Sequence, residues 1–252
     1  MNLRVASHVH STWSYDGHWG LDQIARAFAA RRYNVVLMTE HDVGFTEERR
    51  RAHREACRSA GTEHILFIPG IEYGDPSNTV HTLVWGDVPF LGAGRETQYV
   101  LEQATERGGV CVLAHPSRRA AWKVFQPDWL NYLAGIEVWN RKTDGWSPSR
   151  DGIRVVSGTP VPPVVGLDFH CAKQFFPLVV RLPLETQSDE AAILDALRRR
   201  SYSCQAWGRD LKWFTSGPAL SASGLLEAAR RMAARTVHRA FPGPLRKASQ
   251  GV

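Results

Sequence analysis

Histidine, aspartate and glutamate recur along the chain in short clusters: His8-Val9-His10, Asp16, Glu40-His41-Asp42, Glu72, His81, His115, Glu137 and Asp168-Phe169-His170. Imidazole nitrogens and carboxylate oxygens together suit Zn, Mn and Fe. In a plain extended strand, the H-x-H and D-x-H spacings put both side chains on one side, where each pair can reach one ion. A single histidine at a strand end is more often packed or hydrogen-bonded than ligating. Six of them (His8, His10, His41, His81, His115 and His170), gathered with carboxylates, form a set that is costly to bury without cations. Divalent ions held in such a site can lower the pKa of a bound water and polarise a substrate oxygen, which points to hydrolysis.

The elements that must position these groups alternate between β-like and helical patterns. Strands are expected at 3–9, 35–39, 65–71, 80–85, 110–114, 135–139, 164–169 and 177–182, with helices at 21–32, 46–60, 97–107 and 189–200. Leu21, Ile24, Ala25, Phe28 and Ala29 recur at helical spacing. Ser188-Asp189-Glu190 reads as a helix start, and Arg198-Arg199-Arg200 suits a helix end. The Gly-, Ser- and Pro-rich 143–163 stretch reads as a loop, and 219–240 as a helix, with fraying beyond Pro244. Strand–helix alternation predicts an α/β protein with a parallel sheet, either a barrel or a doubly wound sheet. In both, the carboxyl ends of the strands share one face, and the candidate ligands fall at or near those ends.

In this order the motifs resemble the polymerase and histidinol phosphatase (PHP) family. They are His8-Val9-His10-Ser11 with Asp16-Gly17, Thr39-Glu40-His41-Asp42, Gly70-Ile71-Glu72, His81, Ala114-His115-Pro116, Gly135-Ile136-Glu137-Val138-Trp139-Asn140 and Gly166-Leu167-Asp168-Phe169-His170, over about residues 3–205. The resemblance implies a distorted (β/α)7 barrel with two or three divalent ions (Zn, Mn or Fe) at the carboxyl ends of its strands. It also implies hydrolysis of phosphate esters by metal-bound hydroxide. By the same resemblance His8, His10, Glu72 and Asp168 hold one ion, Glu72 bridges to a second held by His81 and His115, and Asp16, His41 and His170 hold a third. Glu40 departs from the aspartate more usual before the histidine, which puts the supporting contact there in doubt. Glu137 is expected behind the ligands.

Asp42 and Arg141 are the candidate catalytic side chains. Arg141 follows a strand end that carries the cluster, and its fork suits bidentate contact with phosphate; Arg118, Arg119, Lys142 and Lys173 are the other candidate cations. Trp13 and Trp146 are candidates to stack on an aromatic substrate. No G-x-S-x-G elbow or G-x-x-x-x-G-K-[ST] loop occurs, and Cys171, although it follows His170, is expected to point away from the site.

Composition narrows the classes further. The chain has 252 residues, 43% hydrophobic and 22% charged, which is ordinary for a globular protein. No apolar run approaches the ~18 residues of a membrane helix, and the first strand pattern starts almost at Met1, so a cytoplasmic protein without membrane contact is expected. The four cysteines are widely spaced, without a C-x-x-C pair, and read as buried thiols. The net charge of +6 is concentrated from Ser216 onward, where six Lys/Arg face one acid. The rest is near neutral, and general nucleic-acid affinity is not expected. A hydrolase domain over 1–215 and a basic helical tail over 216–252 follow. The expected substrate is a small phosphate ester, a metabolite or nucleotide. The alternatives are amidohydrolase-like cleavage of a non-phosphate bond and a proofreading or accessory PHP module; oligomeric state is left open.

Overall fold

The computed structural model describes residues 2–185 and 189–240, so Ser188 and everything past Ala240 lie outside the described residues. The order of elements is β1 (Leu3–Val9), α1 (Leu21–Ala29), β2 (Val35–Met38), β3 (Glu40–His41), α2 (Glu47–Ala60), β4 (Leu66–Ile68), β5 (Gly70–Gly74), β6 (His81–Trp85), α3 (Thr97–Glu106) and β7 (Val110–Ala114). There follow β8 (Leu133–Asn140), α4 (Arg141–Asp144), α5 (Arg150–Val156), β9 (Pro163–Gly166), β10 (Leu178–Leu182), α6 (Glu190–Arg198), β11 (Ser203–Ala206), β12 (Arg209–Asp210), α7 (Lys212–Thr215) and α8 (Gly217–Ala240).

Two six-stranded sheets form a mixed α/β fold: β12-β11-β10-β1-β2-β4 and β3-β5-β6-β7-β8-β9. The chain passes from one to the other at Thr39, between β2 and β3, and again at Pro69, between β4 and β5. At the opposite seam Val9 bridges Phe169 in parallel, with Leu167 N donating to Ser7 O (2.9 Å) and His10 N to Phe169 O (2.8 Å). The two sheets thus abut along two seams and remain separate hydrogen-bonded sheets among the described residues.

The sheets are not wholly parallel, as the strand–helix alternation had suggested. β5/β6, β6/β7 and β1/β10 pair antiparallel. The 75–80 connection is too short for a crossover helix, which fixes β5 and β6 as a hairpin. Asp75 tightens it by accepting from Thr79 N (2.6 Å) and Val80 N (3.0 Å).

Packing explains why the patterns were readable. β7 is buried along its full length, as a continuous apolar strand in a covered sheet should be, and β8 is buried throughout although it carries Glu137 and Asn140. The α1 stripe buries Leu21, Ile24, Ala25 and Phe28, and each large side chain contributes roughly 1.5–3 kcal/mol by leaving water. Thr46 caps α2 by accepting from Arg49 N, and Asp189 caps α6 by accepting from Ala192 N. The expected 143–163 loop instead overlaps α4 and holds α5. Asn140 and Ser149 start these helices by accepting from Thr143 N and Gly152 N.

Helix α8 meets the rest of the fold through polar groups. Leu225, Ala228 and Met232, whose helical spacing allows packing either on the hydrolase domain or on a partner, are exposed, Leu225 at 72% and Met232 at 63%. The Val237 side chain lies outside the described residues. The packed face is polar: Ser223 Oγ meets Ser147 Oγ at 3.0 Å, and Glu227 accepts from Trp146 N at 3.0 Å. Glu227 also binds Arg230 (2.7 Å) and Arg231 (2.5 Å), which holds its carboxyl at about 2 although burial alone would raise it.

Candidate metal centre

Three of the candidate ligands sit on unusual backbone. His8 (φ 62°), His115 (φ 26°) and Asp168 (φ 48°) are non-glycine residues in or near the left-handed region, where such conformations cost on the order of 1–3 kcal/mol each and cluster at functional sites. The expected plain alternation of His8-Val9-His10 therefore does not hold. The β1/β2 register shifts between Ala6 and Val9, and this irregularity accompanies the convergence of the two imidazoles.

Glu72, on β5, is the centre of the cluster. Its Oε1 lies 2.6 Å from His81 Nδ1, 3.0 Å from His115 Nε2 and 3.5 Å from His8 Nε2. Its Oε2 lies 3.0 Å from His41 Nδ1 and 3.4 Å from His10 Nε2. Asp168 faces His170 (3.3 Å), His10 (3.7 Å) and His8 (3.8 Å), while Asp16 lies 3.1 Å from His170 Nε2 and 3.2 Å from His41 Nε2. The nine side chains expected as ligands thus converge. Three subsets, His8/His10/Asp168, His8/Glu72/His115 and His10/His41/His170, each present ligand atoms within 4.8 Å of one another.

A second layer holds these rings. His8 Nδ1 meets Glu137 Oε1 at 2.9 Å, and the other Glu137 oxygen accepts from His115 N and Asn140 Nδ2, both at 2.9 Å. Glu137 therefore stands behind His8, as expected. Gly166 makes this possible, because a Cβ there would strike the Glu137 carboxylate. His170 Nδ1 donates to the Asp168 carbonyl (2.9 Å).

The supporting contact in doubt at Glu40 is present. Glu40 is fully buried and accepts from Ser11 N (3.1 Å), Ser11 Oγ (2.6 Å) and Ser14 Oγ (2.5 Å), with His53 Nε2 at 3.5 Å. Burial pushes its carboxyl up, but these donors outweigh that and hold it below its ordinary value. His53, on α2, is buried, and its tertiary contact carries no sequence signal.

The electrostatics divide the ligands. Burial disfavours charge on His8, yet Glu137, Asp168 and Glu72 raise its pKa well above the ordinary value. Burial followed by the neighbouring His170 and His41 drives His10 well below it. His41 rises to about 10 as Asp16 and Glu72 overcome burial. Despite burial, Asp168 is held at about 2, chiefly by His8 and Lys142, and the surrounding histidines keep Glu72 well below its ordinary value.

The residues fit divalent ions by a further observation. His8 Nε2, His10 Nε2, Asp16 Oδ1, His41 Nε2, Glu72 Oε2 and His115 Nδ1 are buried and, close as some of them lie to one another, make no well-directed hydrogen bond among the described residues. Buried polar groups are normally satisfied. Six such atoms in one cluster, all nitrogen or oxygen donors suited to borderline and hard ions, form a ready ligand set.

A cavity of about 340 Å³ opens over the cluster, lined by Asp16, His41, Glu72, His81, His115 and Asp168 as well as Tyr15, Asp42, Arg118 and Lys142. Lys142 Nζ lies 3.0 Å from His170 Nε2 and 3.4 Å from Asp168. Arg118 lies 3.1 Å from His81 Nε2 and donates to Asn78 O at 2.9 Å. Arg141, the favoured clamp, is not brought to this cavity. Its guanidinium donates to Lys173 O (3.2 Å) and lies over the Phe176 ring. Asp42 lines the cavity, but its Oδ2 accepts from Gly74 N and Gly94 N at 3.2 Å, so it braces the rim. Trp13 packs on His53 with Arg49 over it, and Arg230 lies over Trp146. Tyr15, 75% exposed and stacked on His41, is the aromatic residue at the mouth.

No family model and no curated protein matches this sequence. Solved structures do match. A two-domain protein from Bacteroides vulgatus, named for a predicted PHP-like metal-dependent phosphoesterase, aligns with a TM-score of 0.61 at 19% identity, over 82% of this chain. The chain shares the PHP-like fold. It spans 65% of that protein's length, so the likeness does not extend to the whole of it. PsfC from Pseudomonas syringae aligns with a TM-score of 0.60 at 14% identity, over 90% of this chain and 98% of PsfC. The lesion-specific endonuclease EndoQ from Pyrococcus furiosus aligns at 0.54 and 14% identity, over 79% of this chain and 56% of its own. At such identities the PHP-like likeness is one of fold. No helix among the described residues is long and apolar enough to cross a membrane.

Proposed function

We propose that this chain is a divalent-metal-dependent phosphoesterase that hydrolyses a small phosphorylated metabolite or nucleotide. One observation carries the reading: the six partnerless buried donor atoms that converge beneath a polar cavity. His8, His10, Glu72 and Asp168 would hold one ion, Glu72, His81 and His115 a second, and Asp16, His41 and His170 a third. Bound there, two or three Zn, Mn or Fe ions supply Lewis acidity toward phosphate oxygens and activate water for attack at phosphorus.

The chain's own residues then bind and orient the ester. Lys142 and Arg118 approach the cluster through different histidines and would donate charge-assisted hydrogen bonds to a phosphate bound over it. Asp42 braces the rim through the Gly74 and Gly94 amides. Water is the nucleophile in this reading, and no serine or cysteine forms a covalent intermediate. We also read the two abutting sheets as a distorted (β/α)7 barrel, residues 1–215 as the hydrolase unit and 216–252 as an appended helical tail. A cytoplasmic setting and a small-molecule partner belong to the same reading.

The test is a panel of phosphomonoesters, phosphodiesters, amides and lactones offered to the full-length chain with Mn or Zn. Phosphate esters should be cleaved, and a single turnover in labelled water should place one solvent oxygen in the released phosphate. Trapping a phosphorylated enzyme would overturn direct attack, and cleavage restricted to amides or lactones would overturn the substrate class.

A further inference from the structure

His10 offers two ring nitrogens, and heavy-atom positions alone do not say which one carries the proton. A count of donors and acceptors does. Glu40 is ringed by donors, and a carboxylate can only accept. It receives Ser11 N, Ser11 Oγ and Ser14 Oγ, so the Ser14 hydroxyl proton is committed to it. The Ser14 oxygen is then left with acceptor capacity alone, and two groups reach it: His41 N at 3.0 Å and His10 Nδ1 at 3.2 Å. A backbone N–H must donate, and a hydroxyl whose proton is engaged cannot donate again. His10 Nδ1 must therefore carry a proton, and in the neutral ring Nε2 is then the atom with the free lone pair. That Nε2 is the buried, partnerless atom 3.4 Å from Glu72 and 3.7 Å from Asp168.

We propose that Glu40, acting through Ser14, is a positioning residue that locks His10 as its Nδ1–H tautomer and keeps Nε2 free for a metal ion. His8 is served directly by a carboxylate, Glu137, whereas His10 is served by a carboxylate one hydroxyl away. The same Ser14 oxygen accepts the amide of His41, so a single buried carboxylate orders two neighbouring ligand positions. The inference rests on the metal-centre reading for its consequence, but the tautomer itself does not.

Glu40→Gln is the informative variant. A glutamine has one acceptor oxygen, which cannot receive Ser11 N, Ser11 Oγ and Ser14 Oγ as the carboxylate does. With the amide nitrogen toward Ser14, the hydroxyl must turn and donate to His10 Nδ1, which moves the ring proton to Nε2. Ser14→Ala removes the acceptor altogether and serves if Glu40→Gln does not fold.

The experiment uses the full-length chain, chelator-treated, with imidazole nitrogens read by long-range proton–nitrogen correlation NMR. Zn(II) affinity is then measured by competition. Wild type should show His10 as Nδ1–H. Both variants should lose that tautomer while the other histidine signals and the fold persist, and Zn(II) affinity should fall about 10- to 100-fold. A wild-type His10 protonated at Nε2, or an unchanged Nδ1–H tautomer in whichever variant folds, overturns the proposal. If wild type binds no Zn(II), Mn(II) or Fe(II), the proposed function fails, while the NMR result still decides the tautomer lock.

Discussion

Five imidazoles lie within 3.5 Å of the two oxygens of Glu72, and Asp168 and Asp16 close the same cluster from other loops. If these side chains are ligands, His10→Ala and Asp168→Ala should each lower metal occupancy and turnover by more than the roughly 10- to 100-fold typical of losing a residue behind a ligand. His64→Ala should leave both unchanged, since that side chain is exposed and its ion pair is with the exposed Glu63; equal losses in all three would misplace the site. Lys142→Ala and Arg118→Ala should raise KM by roughly 10- to 100-fold, the worth of a charge-assisted hydrogen bond, and Arg141→Ala should raise it less. The ligands were legible because their residue types fall at or near the ends of apolar runs. The choice of Lys142 over Arg141 was not. Adjacent residues on the short α4 face different directions, and its phase depends on the Asn140 cap, within a stretch whose composition reads as loop.

Elements decide how accurately the site is held. Gly166, at the end of β9, lies against Glu137 of β8, so Gly166→Ala should push that carboxylate off His8 and reduce metal affinity more than it lowers thermal stability. A variant with normal metal affinity would show that Glu137 is dispensable. Asp144, in α4, gives a pH test. Burial raises its carboxyl from 3.8 to about 7, although Ser117 and Asn140 donate to it. The folded protein therefore binds the extra proton, and this group's contribution to stability declines as pH rises from about 4 to about 7. Asp144→Asn cannot ionise, so urea unfolding should show it gaining on wild type across that window and levelling off above it. A stability difference independent of pH would contradict the assignment. Strands β1 and β7 matched their sequence patterns to the residue because β1 is buried apart from a half-buried Arg4 and β7 throughout. Antiparallel β6 was readable as a strand but not in direction, which the short 75–80 turn sets.

At the scale of the molecule, two sheets joined at Thr39, Pro69 and the Val9–Phe169 bridge bring residues from positions 8 to 170 onto one face. Alternation revealed the α/β class, but how the sheets meet depends on backbone features no propensity records, such as the left-handed His8 and Asp168. Helix α8 is a similar case. Its spacing gives no sign of which face meets the fold, and polar contacts dock it: Glu227 accepts from Trp146 N, Ser223 meets Ser147, and Arg231 donates to the Thr143 and Asp144 carbonyls. Glu227→Ala should loosen that contact and lower stability by about 1–3 kcal/mol, the range for stranding hydrogen-bonded charged groups, with turnover retained; an unchanged midpoint would mean the helix is held otherwise. The most direct measurement of the central claim is elemental analysis of the full-length chain after equilibrium dialysis against Mn, Zn or Fe. The account predicts two or three ions per chain in wild type and fewer in Asp168→Ala. A chain that retains none of the three metals would contradict it.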